Sequence, residues 1–312
     1  MTGTLNPYLS IVVPLYNEEE SVDKLVAKII KAGAQFDFIY EIILVDDGST
    51  DGTWASIERL KESVHNLRGI KFRRNYGQTY AMVAGFDYSL GEIIVTMDGD
   101  LQNDPADIPM LLDKINEGYD IVSGWRRNRK DHWSRVFPSK VANWLISMTT
   151  GVGLHDYGCS LKAYRAQCIK PLKAYGEMHR FFPVLTSMTG AQVTEVPVNH
   201  YSRKYGKSKY GLNRIFKVLS DIFSIILIVK FSTLPLLGFA LCSLPFFMLG
   251  LFFTFTAGLS FLGMFHLIAL GIISELVVGT CDLSHIQLPQ ITKKIDSISL
   301  SGEDVASPSI TL

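Results

Sequence analysis

Hydrophobic and polar residues alternate in blocks over the first third of the chain. Apolar runs of strand length occur in YLSIVVPLY (8–16), YEIILVDDG (40–48), LRGIKFRRNYG (67–77) and EIIVTMDGD (92–100). Residues 18–36 and 78–91 lie between such runs and resemble helices in their composition and spacing. Strands that alternate with helices predict an α/β domain, and continuously apolar strands are typical of a parallel sheet covered on both faces.

A different pattern starts near residue 211. YGLNRIFKVLSDIFSIILIVKF (210–231) mixes basic residues with Ile, Leu and Phe at helical spacing, which predicts an amphipathic helix at the membrane surface over residues 211–230. A helix packed on the globular domain is the alternative. Residues 231–272 contain no Asp, Glu, Lys or Arg, and a membrane span needs roughly 20 apolar residues. We therefore predict two transmembrane helices within 231–279, near Thr233–Phe255 and Leu259–Val278; a buried hairpin of a soluble core is the alternative.

Charge orients these predicted segments. The chain has 30 Lys and Arg against 30 Asp and Glu, so net charge excludes no class of partner. Basic residues cluster before the first predicted span, and Lys293 and Lys294 follow the second, so the positive-inside rule places both termini in the cytosol. No signal peptide is expected, because the N-terminus lacks a basic segment followed by an apolar core. The prediction is an integral membrane protein (of the inner membrane, if bacterial) with a cytosolic domain at 1–210 and a disordered cytosolic tail at 280–312.

Three polar clusters follow predicted strands: PLYNEEE, VDDGSTDGT and MDGDLQNDP. Ligands of an open parallel sheet bind outside the carboxyl ends of its strands, so we expect the three clusters to meet in one crevice. A helix cap or a solvated loop is the alternative for a single residue such as Asp51 or Asp104. The four cysteines have no metal-type spacing and are assigned no chemistry.

The third cluster has the composition of a metal site. Asp98 and Asp100 flank the flexible Gly99, and Gln102 follows. Hard cations such as Mg²⁺ and Mn²⁺ take oxygen ligands, commonly one or two carboxylates together with water and substrate phosphates. These residues therefore predict a divalent cation, Mg²⁺ or Mn²⁺, and a substrate that carries a diphosphate.

The chain carries an ordered set of motifs: VPLYNEEE, ILVDDGSTDGT, MDGDLQNDP, SGWRR and YGKSKYGL. Together with the predicted amphipathic helix and two spans that follow, this set resembles the family 2 glycosyltransferases of the GT-A fold. Among these, the chain is similar to the polyprenyl-phosphate glycosyltransferases, including dolichyl-phosphate mannose synthases and undecaprenyl-phosphate glucosyltransferases. The resemblance covers roughly residues 8–280. It implies a Rossmann-like, mainly parallel sheet and transfer of a hexose from a UDP- or GDP-linked sugar to undecaprenyl or dolichyl phosphate.

The resemblance also implies residue roles. The donor nucleotide would be bound by Pro14, Tyr16, Glu18, Val45, Asp46, Asp47, Asp98, Gly99, Arg203 and Lys209, with Asp46 orienting its turn. The metal would be bound by Asp98, Asp100 and Gln102, and the lipid phosphate by Arg126, Arg127, Arg135 and Ser139. Asp98, Asp100 and Asp156 are the candidate catalytic residues; an Asp that fixes a loop or pairs with Arg is the alternative for Asp156. The implied partners are a nucleotide sugar, a polyprenyl phosphate and the membrane, with no nucleic acid. A homo-oligomer is a further possible assembly.

A lipid monophosphate is already anionic, so an enzyme that uses it as nucleophile has less need of a general base. The donor sugar stays open, because HDYGCSLKAYR (155–165) differs from the mannose synthases. A processive polysaccharide synthase would carry a QxxRW motif, which is absent from the sequence. A catalytically silent sugar-nucleotide-binding adaptor and a family 2 transferase with another acceptor are the other hypotheses.

Overall fold

A computed structural model of the chain describes residues 6–127, residues 143–202 except 144, 145, 149, 173 and 175, and the later positions 265, 269, 272, 273, 276 and 292–295. The predicted amphipathic helix, nearly all of the two predicted spans, and Arg135, Ser139, Arg203 and Lys209 lie outside the described residues. Within the described part, no helix has both the length and the apolar character needed to cross a membrane.

The described strands form one sheet with the order β7-β5-β6-β4-β1-β2-β3-β8. Their bounds are β1 Leu9–Leu15, β2 Tyr40–Asp46, β3 Leu67–Phe72, β4 Ile93–Thr96, β5 Ile121–Trp125, β6 Lys162–Arg165, β7 Val193–Pro197 and β8 Thr292–Ile295. Strands β1 to β4 are mutually parallel, as the apolar runs predicted, and β5 and β7 run the same way. Strands β6 and β8 run in the opposite direction, so the sheet is mixed.

Helices cover both faces of this sheet. Their bounds are α1 Glu19–Gly33, α2 Thr53–Ser63, α3 Gln78–Tyr88, α4 Ile108–Asn116, α5 Ala166–Ile169 and α6 Phe182–Ser187. Alternate residues of each strand point to opposite faces, so Ile11 and Val13 join a core formed with α1, α2 and α4, while Val12 joins the core under α3 and α6. Both faces are therefore apolar, as continuously hydrophobic strands require.

Strand β8 differs from the expected disordered tail. Residues 292–295 pair antiparallel with β3, and Thr292 lies opposite Phe72 while Ile295 lies opposite Ile70. Without this partner, β3 would present a row of unpaired backbone N–H and C=O groups at the sheet border. The pairing also means that β8 enters the sheet at the carboxyl end of β3.

Candidate active site

The turns after β1 and β2 are joined by hydrogen bonds. The backbone N–H of Asn17 donates to Ser49 Oγ (2.9 Å), and that of Thr50 donates to Asn17 Oδ1 (2.8 Å). The Glu18 N–H donates to Thr53 Oγ1 (2.8 Å). Asn17 has a φ of 52°, a left-handed conformation that only a few per cent of non-glycine residues adopt. The first two polar clusters of the sequence therefore lie against each other at the carboxyl end of the sheet, as predicted.

Asp46 and Asp47 both orient turns at this end of the sheet, and the Ser49 N–H donates to Asp46 Oδ1 (2.9 Å). Asp47 accepts hydrogen bonds from the side chain of Asn75 (2.9 Å) and from the N–H groups of Tyr76 (2.7 Å) and Gly77 (2.9 Å), so it orients the turn before α3. Burial, together with the charge of Asp46, raises the pKa of Asp47 to about 6 even though these backbone bonds oppose the shift. Asp46 is fully buried, and its Oδ2 has no hydrogen-bond partner among the described residues.

The loop after β4 has a tightly specified conformation. A Cβ at Gly99 would lie 2.4 Å from Leu15 Cδ2, so a side chain there would force the buried Leu15 side chain to shift. Leu101 has a φ of 63°, which is costly for a residue with a branched side chain. Asp100 is 5% exposed, and its Oδ1 accepts the Gln102 N–H (3.1 Å). The strained backbone thus presents Asp98 and Asp100 at the same end of the sheet as the first two turns.

Gln78, at the start of α3, binds Asp98 and was not predicted as a site residue. Its Nε2 donates to Asp98 Oδ1 (2.7 Å). Burial and the neighbouring Asp100 raise the pKa of Asp98, while hydrogen bonds from Ser160 and Gln78 and the charge of Arg126 act in the opposite direction. The position of Gln78 in the sequence indicates this role, because Gln78 follows the third strand-like run just as the acidic clusters follow the other three.

The residues at this loop fit a divalent cation. Across the residues that the structure describes, no three His, Cys, Asp or Glu side chains come together as a metal cluster. Asp98 and Asp100 offer two carboxylates, and Mg²⁺ typically takes one or two carboxylates with substrate phosphates and water. Burial, and then the charge of Asp100, raises the pKa of Asp98, so a cation bound there would stabilise its charged form. Gln102 donates its Nε2 to the Tyr201 carbonyl (3.1 Å), and its Oε1 is not used in that bond.

Arg126 lies at the end of β5, at the same end of the sheet. Its Nε and Nη2 donate to the two oxygens of Asp156 (2.6 and 2.9 Å). Burial alone would lower the pKa of Arg126, but the hydrogen bonds and charge of Asp156 raise it above its usual value. Both Asp156 oxygens are engaged, since Oδ1 also accepts the Gly158 N–H (3.1 Å). Asp156 is therefore placed to position Arg126; pairing with Arg was the alternative that the sequence left open beside a catalytic carboxylate.

Two further residues near Arg126 were not singled out as site residues. Lys162 is 3% exposed, and its ammonium donates to the carbonyls of Tyr157 (3.1 Å) and Cys159. Burial lowers the pKa of Lys162 and raises that of the Cys159 thiol to about 11, so the thiol is protonated at neutral pH. No sequence pattern marks Lys162, because its partners are backbone carbonyls. The neighbouring Arg127, which was a predicted site residue, is exposed, with its guanidinium 5.8 Å from the Trp125 ring centre.

Residues 10–172 match the family model described as Glycosyl transferase family 2. The chain belongs to this family. It is also 45% identical over 243 residues to a dodecaprenyl-phosphate galacturonate synthase of Rhizobium johnstonii (strain DSM 114642 / LMG 32736 / 3841), an alignment that covers 75% of this chain and 72% of the relative. The resemblance inferred from the ordered motifs is thereby confirmed.

Solved structures of other glycosyltransferases share the fold of this family 2 chain. A glucosyl-3-phosphoglycerate synthase of Mycobacterium tuberculosis, bound to Mn²⁺, UDP and glucosyl-3-phosphoglycerate, matches with a TM-score of 0.53 and 18% identity over 71% of this chain and 79% of its own. A mannosyltransferase of Pyrobaculum calidifontis, bound to GDP-Man and Mn²⁺, matches with a TM-score of 0.52 and 20% identity over 72% of this chain and 64% of its own. The GT-A-like α/β fold is confirmed at this level.

Proposed function

We propose that this enzyme transfers galacturonic acid from its nucleotide-linked form to a polyprenyl phosphate. The observation that carries the proposal is the 45% identity to a dodecaprenyl-phosphate galacturonate synthase. The site supports it, because the carboxylates of Asp98, which is partly exposed, and Asp100, which is buried, lie at the same end of the sheet as the partly buried cation Arg126. These are the charges needed to bind a metal-diphosphate and a phosphate acceptor.

The donor half of the site would bind a nucleotide sugar. Asp98, Asp100 and Gln102 would hold Mg²⁺ or Mn²⁺, which supplies positive charge to the diphosphate when bound. The nucleoside would lie along Pro14, Tyr16, Glu18, Val45 and Asp46, with Asp47 fixing the neighbouring turn. The unpartnered Oδ2 of Asp46 is a hydrogen-bond acceptor suited to an N–H of the base. Arg203 and Lys209 would approach the diphosphate from the basic segment.

The acceptor half would bind a lipid phosphate. Arg126 retains donors on Nη1 after its Nε and Nη2 have bound Asp156, and Arg127, Arg135 and Ser139 would complete the phosphate site. An Arg fork held in place by a carboxylate recognises a phosphate with little loss of side-chain freedom. The phosphate oxygen would attack the anomeric carbon, and the nucleoside diphosphate would leave. No proton has to be removed from the acceptor, so Asp156 has no need to act as a base.

The topology of the described part supports a membrane segment that leaves and returns at one end of the sheet. The Tyr201 N–H donates to the Gln102 carbonyl (2.9 Å) in the loop after β4, so the chain is at the carboxyl end when it reaches residue 202. It re-enters the sheet at the carboxyl end of β3, where Thr292 lies opposite Phe72. A segment whose two ends lie on the same domain crosses a membrane an even number of times. Two spans would satisfy this condition, and the cytosolic side proposed for the domain and the termini rests on the distribution of basic residues alone.

The test is incubation of membranes that contain the full-length protein with undecaprenyl phosphate and a panel of radiolabelled nucleotide sugars. The panel includes UDP-galacturonic acid, UDP-glucose, UDP-galactose and GDP-mannose. The lipids are extracted after the incubation. We expect label in the lipid phase with UDP-galacturonic acid. Label from another sugar would change the donor and keep the reaction class. Binding of a nucleotide sugar without lipid label from any of them would favour the silent adaptor.

A further inference from the structure

Residues Asn199–Tyr201 are bonded to the loop after β4, although nearly a hundred residues separate the two in sequence. His200 forms an isolated antiparallel bridge with Asn103. The Tyr201 N–H donates to the Gln102 carbonyl (2.9 Å), and the Gln102 side chain donates back to the Tyr201 carbonyl (3.1 Å). We call Asn199–Tyr201 the clasp.

Side chains hold both ends of the clasp. The Tyr201 hydroxyl donates to Asp104 Oδ2 (3.0 Å), while Asp104 Oδ1 accepts the Ala106 N–H (3.1 Å) and caps the short 3-10 turn that follows. At the other end, the N–H and side-chain amide of Asn199 donate to the two oxygens of Asp107 (2.7 and 2.8 Å), a carboxylate that is 3% exposed. The clasp thus makes backbone and side-chain bonds over the whole stretch from Gln102 to Asp107.

The loop needs external support because its own geometry is unfavourable. Leu101 has positive φ, and the negatively charged Asp98 and Asp100 are close enough to interact. Such strained positions persist only where the surrounding structure over-determines them. The bond from Gln102 Nε2 to the Tyr201 carbonyl also fixes which way the amide faces, and so where its oxygen lies.

We propose that the clasp positions Asp100 and Gln102 for the divalent cation, and that Tyr201 and Asn199 are positioning residues of the transferase reaction. The inference rests on the proposed function, because it requires a cation at Asp98 and Asp100. Tyr201 and Asn199 act through the loop and do not touch the cation. Loosening either end lets the Gln102 amide rotate and the loop relax from its strained conformation, which weakens cation binding without unfolding the domain.

The test measures Mn²⁺ binding to the full-length protein in detergent by electron paramagnetic resonance, with UDP present. The variants are Tyr201→Phe and Asn199→Ala. Tyr8→Phe is the matched control, because the Tyr8 hydroxyl also makes an exposed long-range bond, to Asn116 Oδ1 (3.1 Å), but near the amino end of β1. We expect the Mn²⁺ dissociation constant to rise roughly three- to tenfold in each clasp variant, the scale of one net hydrogen bond, and to stay unchanged in Tyr8→Phe.

A second measurement separates positioning from stability. The Mn²⁺ concentration that gives half-maximal activity should rise in both clasp variants, and kcat at saturating Mn²⁺ should recover to near the wild-type value. Unchanged Mn²⁺ affinity in both variants, with wild-type protein binding Mn²⁺, would overturn the clasp proposal, as would an equal loss in Tyr8→Phe. Wild-type protein that binds no Mn²⁺ with UDP would instead overturn the metal site of the proposed function.

Discussion

Both ends of strand β2 carry buried carboxylates, but the hydrogen bonds and charge partners of these carboxylates differ. At the amino end, Glu41 is 3% exposed and accepts hydrogen bonds from Ser10 Oγ (2.6 Å), the Leu90 N–H (2.6 Å) and the guanidinium of Arg68 (3.1 Å). At the carboxyl end, Asp46 has an oxygen with no hydrogen-bond partner in the described part of the chain, and the pKa of Asp47 is raised to about 6. Asp98, at the corresponding end of β4, also has a raised pKa.

The difference separates a structural end of the sheet from a functional one. A buried charge with its own cation and full hydrogen bonding belongs to the folded structure alone. Buried carboxylates whose charged form is disfavoured are typical of sites where a ligand provides the missing charge. The amino end should therefore control stability and the carboxyl end activity, and each substitution below compares the two.

The largest effect is expected for Asp100→Asn. It removes one of the two carboxylates that would hold the cation against the diphosphate, a contribution that can reach several kcal/mol of transition-state stabilisation. Turnover in membranes should fall at least about a hundredfold, and excess EDTA should produce a comparable loss in the wild type. The thermal midpoint without metal should stay the same or rise, because repulsion from Asp98 is relieved. Full activity in the variant, or in the wild type with EDTA, would show that the reaction needs no metal at this site.

Glu41→Gln should have the complementary effect at the amino end. Breaking this largely buried ion pair leaves Arg68, 13% exposed, without its charge partner and costs up to about 3–5 kcal/mol of unfolding free energy. Activity per folded molecule should be unchanged, since Glu41 lies at the other end of β2 from the site. Denaturant unfolding gives the stability, and an assay normalised to folded protein gives the activity per folded molecule. A loss of kcat at full stability would contradict the separation of the two ends.

The third prediction concerns pH and the metal-free protein. Asp47 has an unfolded pKa of 3.8 and a folded pKa of about 6, so the folded state binds more protons between these values. Its contribution to stability is present below about pH 4 and is lost as pH rises through 6, by roughly 3 kcal/mol in all. The change Asp47→Asn removes this titration. Relative to wild type, the variant should therefore gain stability from pH 4 to pH 7 in urea unfolding, whereas a constant difference would show that Asp47 does not titrate in this range.

The smallest effect is expected for Asp156→Asn, which weakens the ion pair that positions Arg126. The acceptor KM should rise by an amount worth about 1.5–3 kcal/mol, the scale of a hydrogen bond to a charged group. Nucleotide-sugar affinity, measured by isothermal titration, should not change. A fall in kcat of several orders of magnitude with an unchanged acceptor KM would restore Asp156 as a catalytic carboxylate.

The sequence predicted the parts of the site that follow strands directly. The carboxylates around Gly99 could be found because a buried strand ends in two acidic residues one position apart. The hydrogen bonds by which Asp47 orients the turn before α3 could not be predicted, since adjacent residues of one type differ only in what lies beside them after folding. Tyr201 and Gln102 are joined by a contact across the sequence, and neither belongs to a pattern that marks the other.

The same reason explains the missed border strand. Residues 292–295 read Thr-Lys-Lys-Ile, too short and too polar to predict a strand alone, and only the pairing with β3 identifies it. The two antiparallel strands, β6 and β8, were also unpredicted. Hydrophobic runs indicate burial on both faces but do not give the direction of a strand.

Strand β8 has a consequence for the order of synthesis. The ribosome makes β1 to β7 within the first 197 residues, but the partner of β3 comes from residues 292–295 of 312. The sheet border at β3 therefore stays open to other strands until the last tenth of the chain is translated. Completion of the sheet has to wait for the segment at 203–291, so until then β3 presents unpaired backbone groups that can pair with another strand.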